Sequence, residues 1–89
     1  MIIIYDPVKD RRNLNKHQVS LAMATKLEWE WLLAGPDTRR EYGELRMVGY
    51  APIETRVYCV VFVDHGDERR IISLRKANDR EVRRYASEI

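Results

Sequence analysis

Arg56-Val-Tyr-Cys-Val-Val-Phe-Val-Asp-His-Gly-Asp-Glu-Arg-Arg-Ile-Ile-Ser-Leu-Arg75 is the run that sets the architecture. Residues 56–63 are almost continuously apolar, and mostly β-branched or aromatic. Such a run suits a central strand covered on both faces. Asp64-His65-Gly66-Asp67 supplies turn formers and reads as a hairpin loop. Residues 69–75 then return as a strand. Strict alternation places Arg70, Ile72 and Leu74 on one face and Ile71, Ser73 and Arg75 on the other.

On the N-terminal side, residues 44–51 also alternate. Leu45, Met47, Gly49 and Ala51 face one way; Glu44, Arg46, Val48 and Tyr50 face the other. The segment 51–55 contains Pro52 and reads as a connection. Short links between the three strands predict an antiparallel meander. On the C-terminal side, Asn78 followed by Glu81 forms a capping-box pattern. It opens a last helix whose apolar stripe is Val82, Tyr85, Ala86 and Ile89.

The remaining N-terminal part opens with Ile2-Ile3-Ile4-Tyr5, a short strand. Asp6 is placed as N-cap and Pro7 at the first position of a helix reaching His17. Few apolar residues anchor that helix beyond Val8 and Leu14, so tertiary contacts must hold it. Ser20 is placed as N-cap of a second helix over 21–33, with Ala24, Leu27, Trp31 and Ala34 on one stripe and Trp31 in the core. Trp29 lies off that stripe, and Gly35-Pro36-Asp37 stops the helix. The expected fold is α+β: one domain over residues 1–89, with an antiparallel sheet, two N-terminal helices and a C-terminal helix. The helices are expected on one sheet face.

Composition narrows the function. The chain has 89 residues, 45% of them hydrophobic and 34% charged, with a net charge of +2. It has no apolar run long enough to span a membrane. The opening MIIIYDP is too short for a signal-peptide core. Cys59 is the single cysteine, which excludes an internal disulfide and a cysteine-built zinc site. A reducing, cytoplasmic setting is expected. The charge is uneven: Arg69, Arg70, Arg75, Lys76, Arg80, Arg83 and Arg84 make the C-terminal segment basic. Such a segment attracts polyanions, although a solvated face is the plainer reading.

The four glycines are scattered and form no phosphate-binding loop, and no clustered His or Cys ligands suggest a metal. What remains is a set of polar tips that can converge on an open sheet face. Glu44 and Arg46 project from one strand, and Ser73 and Arg75 from another. Lys76 and Arg80 follow at the strand end and in the last helix, while Lys16 and His17 close the first helix. This set suits RNA phosphodiester cleavage. The 2′-hydroxyl must lose a proton, and guanidinium groups can take up charge growing on the phosphoryl oxygens. Each member also has a plainer reading: a same-face pair for Glu44 and Arg46, a helix-end contact for His17, a solvated strand end for Arg75 and Lys76.

These residues fall into three motifs that resemble the BrnT family of bacterial toxins. The first is Tyr5-Asp6-Pro7 with Lys9, Asn13 and Lys16-His17-Gln18-Val19-Ser20; the second is Tyr42-Gly43-Glu44-Leu45-Arg46 with Val48-Gly49-Tyr50. The third is Arg69-Arg70-Ile71-Ile72-Ser73-Leu74-Arg75-Lys76-Ala77-Asn78 with Glu81 and Tyr85. The sequence departs from the family pattern at Tyr5 (usually Trp), Gln18 (usually Gly), Leu21 (often Phe) and His65 (often Arg).

The resemblance implies a RelE-like ribonuclease fold and a toxin that cuts RNA and inhibits translation. The cleavage chemistry read from the residues needs no metal, and no cofactor is expected. The resemblance implies neutralisation by a BrnA-like ribbon-helix-helix antitoxin in a heterotetramer of two toxins and two antitoxins. Promoter DNA would be bound through that partner. Carried onto this chain, His17, Glu44, Arg46 and Arg75 become the candidate catalytic groups, and Lys16, Lys76 and Arg80 the RNA-binding ones. The competing reading is a non-catalytic RNA- or protein-binding module or a co-repressor subunit.

Overall fold

The computed structural model describes Met1–Ile89. Five strands form one mixed sheet: β1 (Ile2–Ile4), β2 (Leu33–Pro36), β3 (Met47–Ile53), β4 (Arg56–His65) and β5 (Glu68–Lys76), in the order β1-β5-β4-β3-β2. Helix α1 spans Pro7–His17 and α2 spans Asp79–Glu88. No helix is long and apolar enough to cross a membrane.

β4 occupies the middle of the sheet, and Tyr58 to Val63 are all buried, as its unbroken apolar run requires. The meander β3-β4-β5 is antiparallel as expected. β1 is the exception, because it pairs with β5 in parallel, through Ile2–Glu68 to Ile4–Arg70. The chain leaves β1 through α1 and joins the sheet again elsewhere, so no hairpin constrains its direction.

One core face holds Ala51, Ile53, Tyr58, Val60, Phe62, Ile71 and Leu74, closed by Val19, Leu21, Ala24 and Leu27. Ile71 and Leu74 share this face because β5 carries a bulge. Val61 pairs with Ser73, whereas Phe62 pairs with Ile71, leaving Ile72 as the extra residue. Strict alternation had set Ile71 opposite Leu74; the bulge corrects that. It leaves Arg70, Ser73 and Arg75 opposite Val63, Val61 and Cys59, on the other face.

The second N-terminal helix does not form. Two 3-10 turns, Leu21–Lys26 and Trp29–Trp31, replace it. Leu27 is extended between them, Glu28 N–H donates to Pro52 O at 2.9 Å, and Trp29 Nε1 donates to Ala24 O at 3.0 Å. Bonds to β3 thus outweigh helix propensity. Trp31 is 56% exposed rather than core, whereas Trp29 packs edge-on against Phe62.

The segment read as a helix stop is β2, an edge strand, where Pro36 is tolerated. Its backbone approaches β3 closely. A Cβ on Gly49 would lie 2.6 Å from Ala34 Cβ and 2.9 Å from Leu33 O, so only glycine fits. β3 begins at Met47, later than alternation suggested, and continues through Pro52 to Ile53. β2 pairs only with Met47 to Tyr50, so the missing N–H of Pro52 leaves no partner in β2 unbonded.

Both α-helices start as read. Asp6 accepts from Val8 N–H, and Asn78 and Glu81 complete a capping box. α1 ends on Gln18 at φ 57°, a left-handed position that favours glycine. The helices do not share one face. The 3-10 turns close the core, while Arg84 and Glu88 of α2 line a shallow cavity with Val48 and Tyr50 on the opposite side. Of the stripe read in α2, only Tyr85 is buried; its hydroxyl donates to Trp31 O at 2.6 Å, and Ile89 remains 66% exposed.

Candidate active site

With alternate side chains committed to the core, the other sheet face presents Val48 and Tyr50 from β3, Cys59 and Val61 from β4, and Ser73 and Arg75 from β5. They floor a cavity of about 370 Å³, walled by Asp37 and Arg39 after β2 and by Glu81 of α2. Cys59 stands opposite Arg75 in register, and burial pushes its thiol up.

Arg75 and Glu81 form a two-pronged ion pair, Nη1–Oε1 2.8 Å and Nη2–Oε2 2.9 Å. Tyr50 Oη donates to Glu81 Oε2 at 3.0 Å, and Asn78 N–H donates to Oε1 at 2.9 Å. The Arg75 bonds, above all, lower the Glu81 carboxyl to about 2 against the opposing effect of burial. Burial, then the bond to Glu81, raises Tyr50 to about 12. Arg75 therefore stays charged and is held at one end of the cavity.

The opposite wall is a second network. The Asp37 side chain, 1% exposed, accepts from Arg39 Nε at 2.8 Å and Nη2 at 2.7 Å, and from Tyr42 Oη at 3.2 Å. These bonds, led by the Arg39 guanidinium, hold its carboxyl well below the usual carboxylate range. The Arg46 guanidinium lies 4.2 Å from the Tyr42 ring centroid, and its buried Nε has no partner. Arg39, rather than Arg46, lines the cavity.

A second concavity of about 290 Å³ runs between α1 and β5, lined by Lys9, Arg12, Asn13, Lys16, His17, Ile72 and Ser73. Ser73 borders both hollows. Burial first, then the charges of Lys16 and Arg75, lower the His17 imidazole below its ordinary value. It is therefore mostly neutral at pH 7 and able to accept a proton.

The remaining sequence-derived residues lie apart. Glu44 pairs with Arg70 at 2.6 and 2.9 Å and lines neither hollow. Lys76 and Arg80 are exposed and line neither hollow. Lys76 pairs in register with Tyr58, a core-face residue, so it leaves the strand on the side opposite Arg75. Lys16, His17 and Arg75 are thus brought together around Ser73. Arg39, Tyr50 and Glu81 were missed as site groups. Tyr50 shared the alternation with Val48, and Glu81 sat in the third motif but was read only as a cap. Arg39 follows an irregular loop with no periodic signal.

No three His, Cys, Asp or Glu side chains gather closely enough to hold a metal ion. The α1 groove is cationic, with ammonium and guanidinium groups beside a neutral imidazole, whereas each guanidinium of the sheet cavity is paired with a carboxylate. Such a groove suits an anionic ligand. Comparison with protein families matches residues 5–81 to the family described as the ribonuclease toxin, BrnT, of type II toxin–antitoxin systems. The match spans most of the 89 residues, and the chain belongs to that family. A type II toxin has an antitoxin as its partner. A search of curated proteins finds no match to this chain.

Proposed function

We propose that the chain is an endoribonuclease toxin with a RelE-like mode of action, cutting RNA by attack of the 2′-hydroxyl on the adjacent phosphorus. His17 takes the hydroxyl proton. The 2′-oxygen bonds to phosphorus, the bond to the 5′-oxygen breaks, and solvent protonates the leaving oxygen. Arg75 takes up charge on the phosphoryl oxygens. The products are a 2′,3′-cyclic phosphate and a 5′-hydroxyl, and no metal ion takes part. The observation that carries this reading is that Ser73 borders both hollows, with His17 lining one and Arg75 the other.

Lys16 binds the RNA backbone beside His17. Arg46 supports the Arg39 wall through Tyr42, and Glu44 is the second candidate for proton transfer. Lys76 and Arg80 bind RNA beyond the cavity, from their exposed positions. The toxin acts in the cytoplasm and stops translation. A BrnA-like ribbon-helix-helix antitoxin neutralises it in a 2:2 complex that represses the shared promoter, with the antitoxin making the DNA contact.

The test is purified chain on single-stranded RNA with a chelator present, beside Arg75→Ala. Fragments ending in cyclic phosphate are expected from the wild type alone. Intact RNA from the wild type, or full cleavage by the variant, would overturn the assignment.

A further inference from the structure

The α1 groove carries more positive charge than one scissile phosphate requires. Lys9, Arg12 and Lys16 lie at helical spacing along one side of α1, over roughly 10 Å of helix. None of them has a carboxylate within ion-pairing distance; the five ion pairs of the molecule use Arg39, Arg69, Arg70, Arg75 and Arg84. The acidic residues of this region are engaged elsewhere. Asp6 caps α1 through Val8 N–H, and Asp10 accepts from Ser20 Oγ and Leu21 N–H. On α2, by contrast, Arg84 has Glu88 one turn away at 3.8 Å. A solvated helix face usually resembles α2, with opposite charges interleaved. The α1 stripe instead borders a groove with Ile72, the bulge residue of β5, among its lining residues.

We propose that this groove is a backbone-binding track for single-stranded RNA, holding phosphates that flank the one placed at Arg75. The inference rests on the ribonuclease reading and extends it to substrate length. Ser73 lines both the groove and the Arg75 cavity, so a strand seated at Arg75 that passes Ser73 enters the α1 groove. Lys9, Arg12 and Lys16 form a single row along the groove, which matches one phosphate backbone rather than the two of a duplex. Lys9 and Arg12 have no part in the chemical step, so the track should act on affinity.

The test uses wild type and Lys9→Gln/Arg12→Gln, two cleavable substrates (a dinucleotide and a single strand of about twelve nucleotides) and binding measured across a salt series. Circular dichroism checks that the variant is folded. The wild type should show a KM for the longer strand about tenfold below that for the dinucleotide, and the variant should lose that advantage. The slope of log affinity against log salt should shrink by roughly 0.7 for each phosphate contact removed. A variant that keeps the length advantage and the slope overturns the track. So does a wild type that binds an oligo-aspartate peptide more tightly than the RNA, which would assign the groove to an acidic protein segment. A wild type that binds the strand with the expected slope, loses it in the variant, yet cleaves nothing would retain the track and remove the catalytic reading.

Discussion

Glu81 holds the Arg75 guanidinium with both carboxylate oxygens, at 2.8 and 2.9 Å, from the first turn of α2. The same carboxylate closes the capping box on Asn78 N–H and accepts from Tyr50 Oη. One side chain therefore fixes the start of α2, its position on the sheet and the orientation of the central cation. Capping alone would have been met by glutamine. The fork onto Arg75 needs the charge.

That difference gives a stability test in acid. Glu81 titrates at about 2 in the folded protein against an ordinary 4.5. A depressed carboxyl stabilises the fold above its unfolded value and loses that contribution as pH falls through the folded one. Asp37 shifts in the same direction. Unfolding free energy should hold level from pH 7 to about 5, then fall towards pH 2. Glu81→Gln should cost about 1–2 kcal/mol at pH 7 and flatten part of the acid fall. Urea unfolding at stepped pH measures both, and an unchanged acid profile in the variant would refute the role given to Glu81.

The state of His17 can be read without any activity. Burial, Lys16 and Arg75 lower its imidazole, in that order. Removing a positive neighbour favours the protonated form, so its titration midpoint must rise. Imidazole proton shifts followed by NMR should place the wild-type midpoint below 6.5, with Lys16→Met and Arg75→Ala each moving it upward. A midpoint that ignores both variants would show that His17 does not sense the cationic groove. On RNA, the cleavage rate should rise with pH through the wild-type midpoint and then level off, as expected of a base that must be neutral.

Much of this arrangement was legible in the sequence because local chemistry set it. The apolar run of β4 and the caps at Asp6 and Asn78 act through near neighbours and were read where they stand, while the hairpin loop read at 64–67 narrows to Gly66 and Asp67 because Asp64 and His65 pair with Arg69 and Glu68. What escaped was decided at long range. The helix over 21–33 was lost to a backbone bond from Glu28 to Pro52, and β2 formed because Gly49 lets Ala34 come close. The bulge at Ile72 reversed the facing of Ile71, which no single-strand alternation can announce. In the site, Arg75, Lys16 and His17 were visible, but Arg39 and the ion-pair partners were not. Glu44 is tied to Arg70, Glu81 to Arg75 and Asp37 to Arg39, pairs brought together by β-sheet, helix and loop.

Gln18 tests a departure visible in the sequence. It closes α1 at φ 57°, a conformation that costs a residue with a Cβ about 1 kcal/mol. Its side chain recovers one exposed bond, Nε2 to Asn15 O at 3.1 Å. Gln18→Gly should therefore raise stability by about 0.5–1 kcal/mol, seen as a higher Tm with the helical signal intact. A lowered Tm would mean that the side-chain bond outweighs the backbone strain.

Asn13 carries the largest predicted loss. β1 covers the outer edge of β5 only as far as Arg70, which leaves the backbone of Leu74 facing α1. Asn13, 5% exposed, takes the place of the missing strand. Its Nδ2 donates to Leu74 O at 2.7 Å and to Val19 O at 2.8 Å, and its Oδ1 accepts from Leu74 N–H at 3.1 Å. Asn13→Ala strands all three buried backbone groups and should cost about 3 kcal/mol. Asn13→Asp keeps the acceptor for Leu74 N–H but turns a carboxylate towards two carbonyl oxygens, so it should be at least as damaging. A solvated helix residue would instead lose within about 0.5 kcal/mol in either substitution. Chemical denaturation of the two variants beside the wild type decides the matter. Equal stability in all three would mean that α1 is not pinned to β5 through this amide.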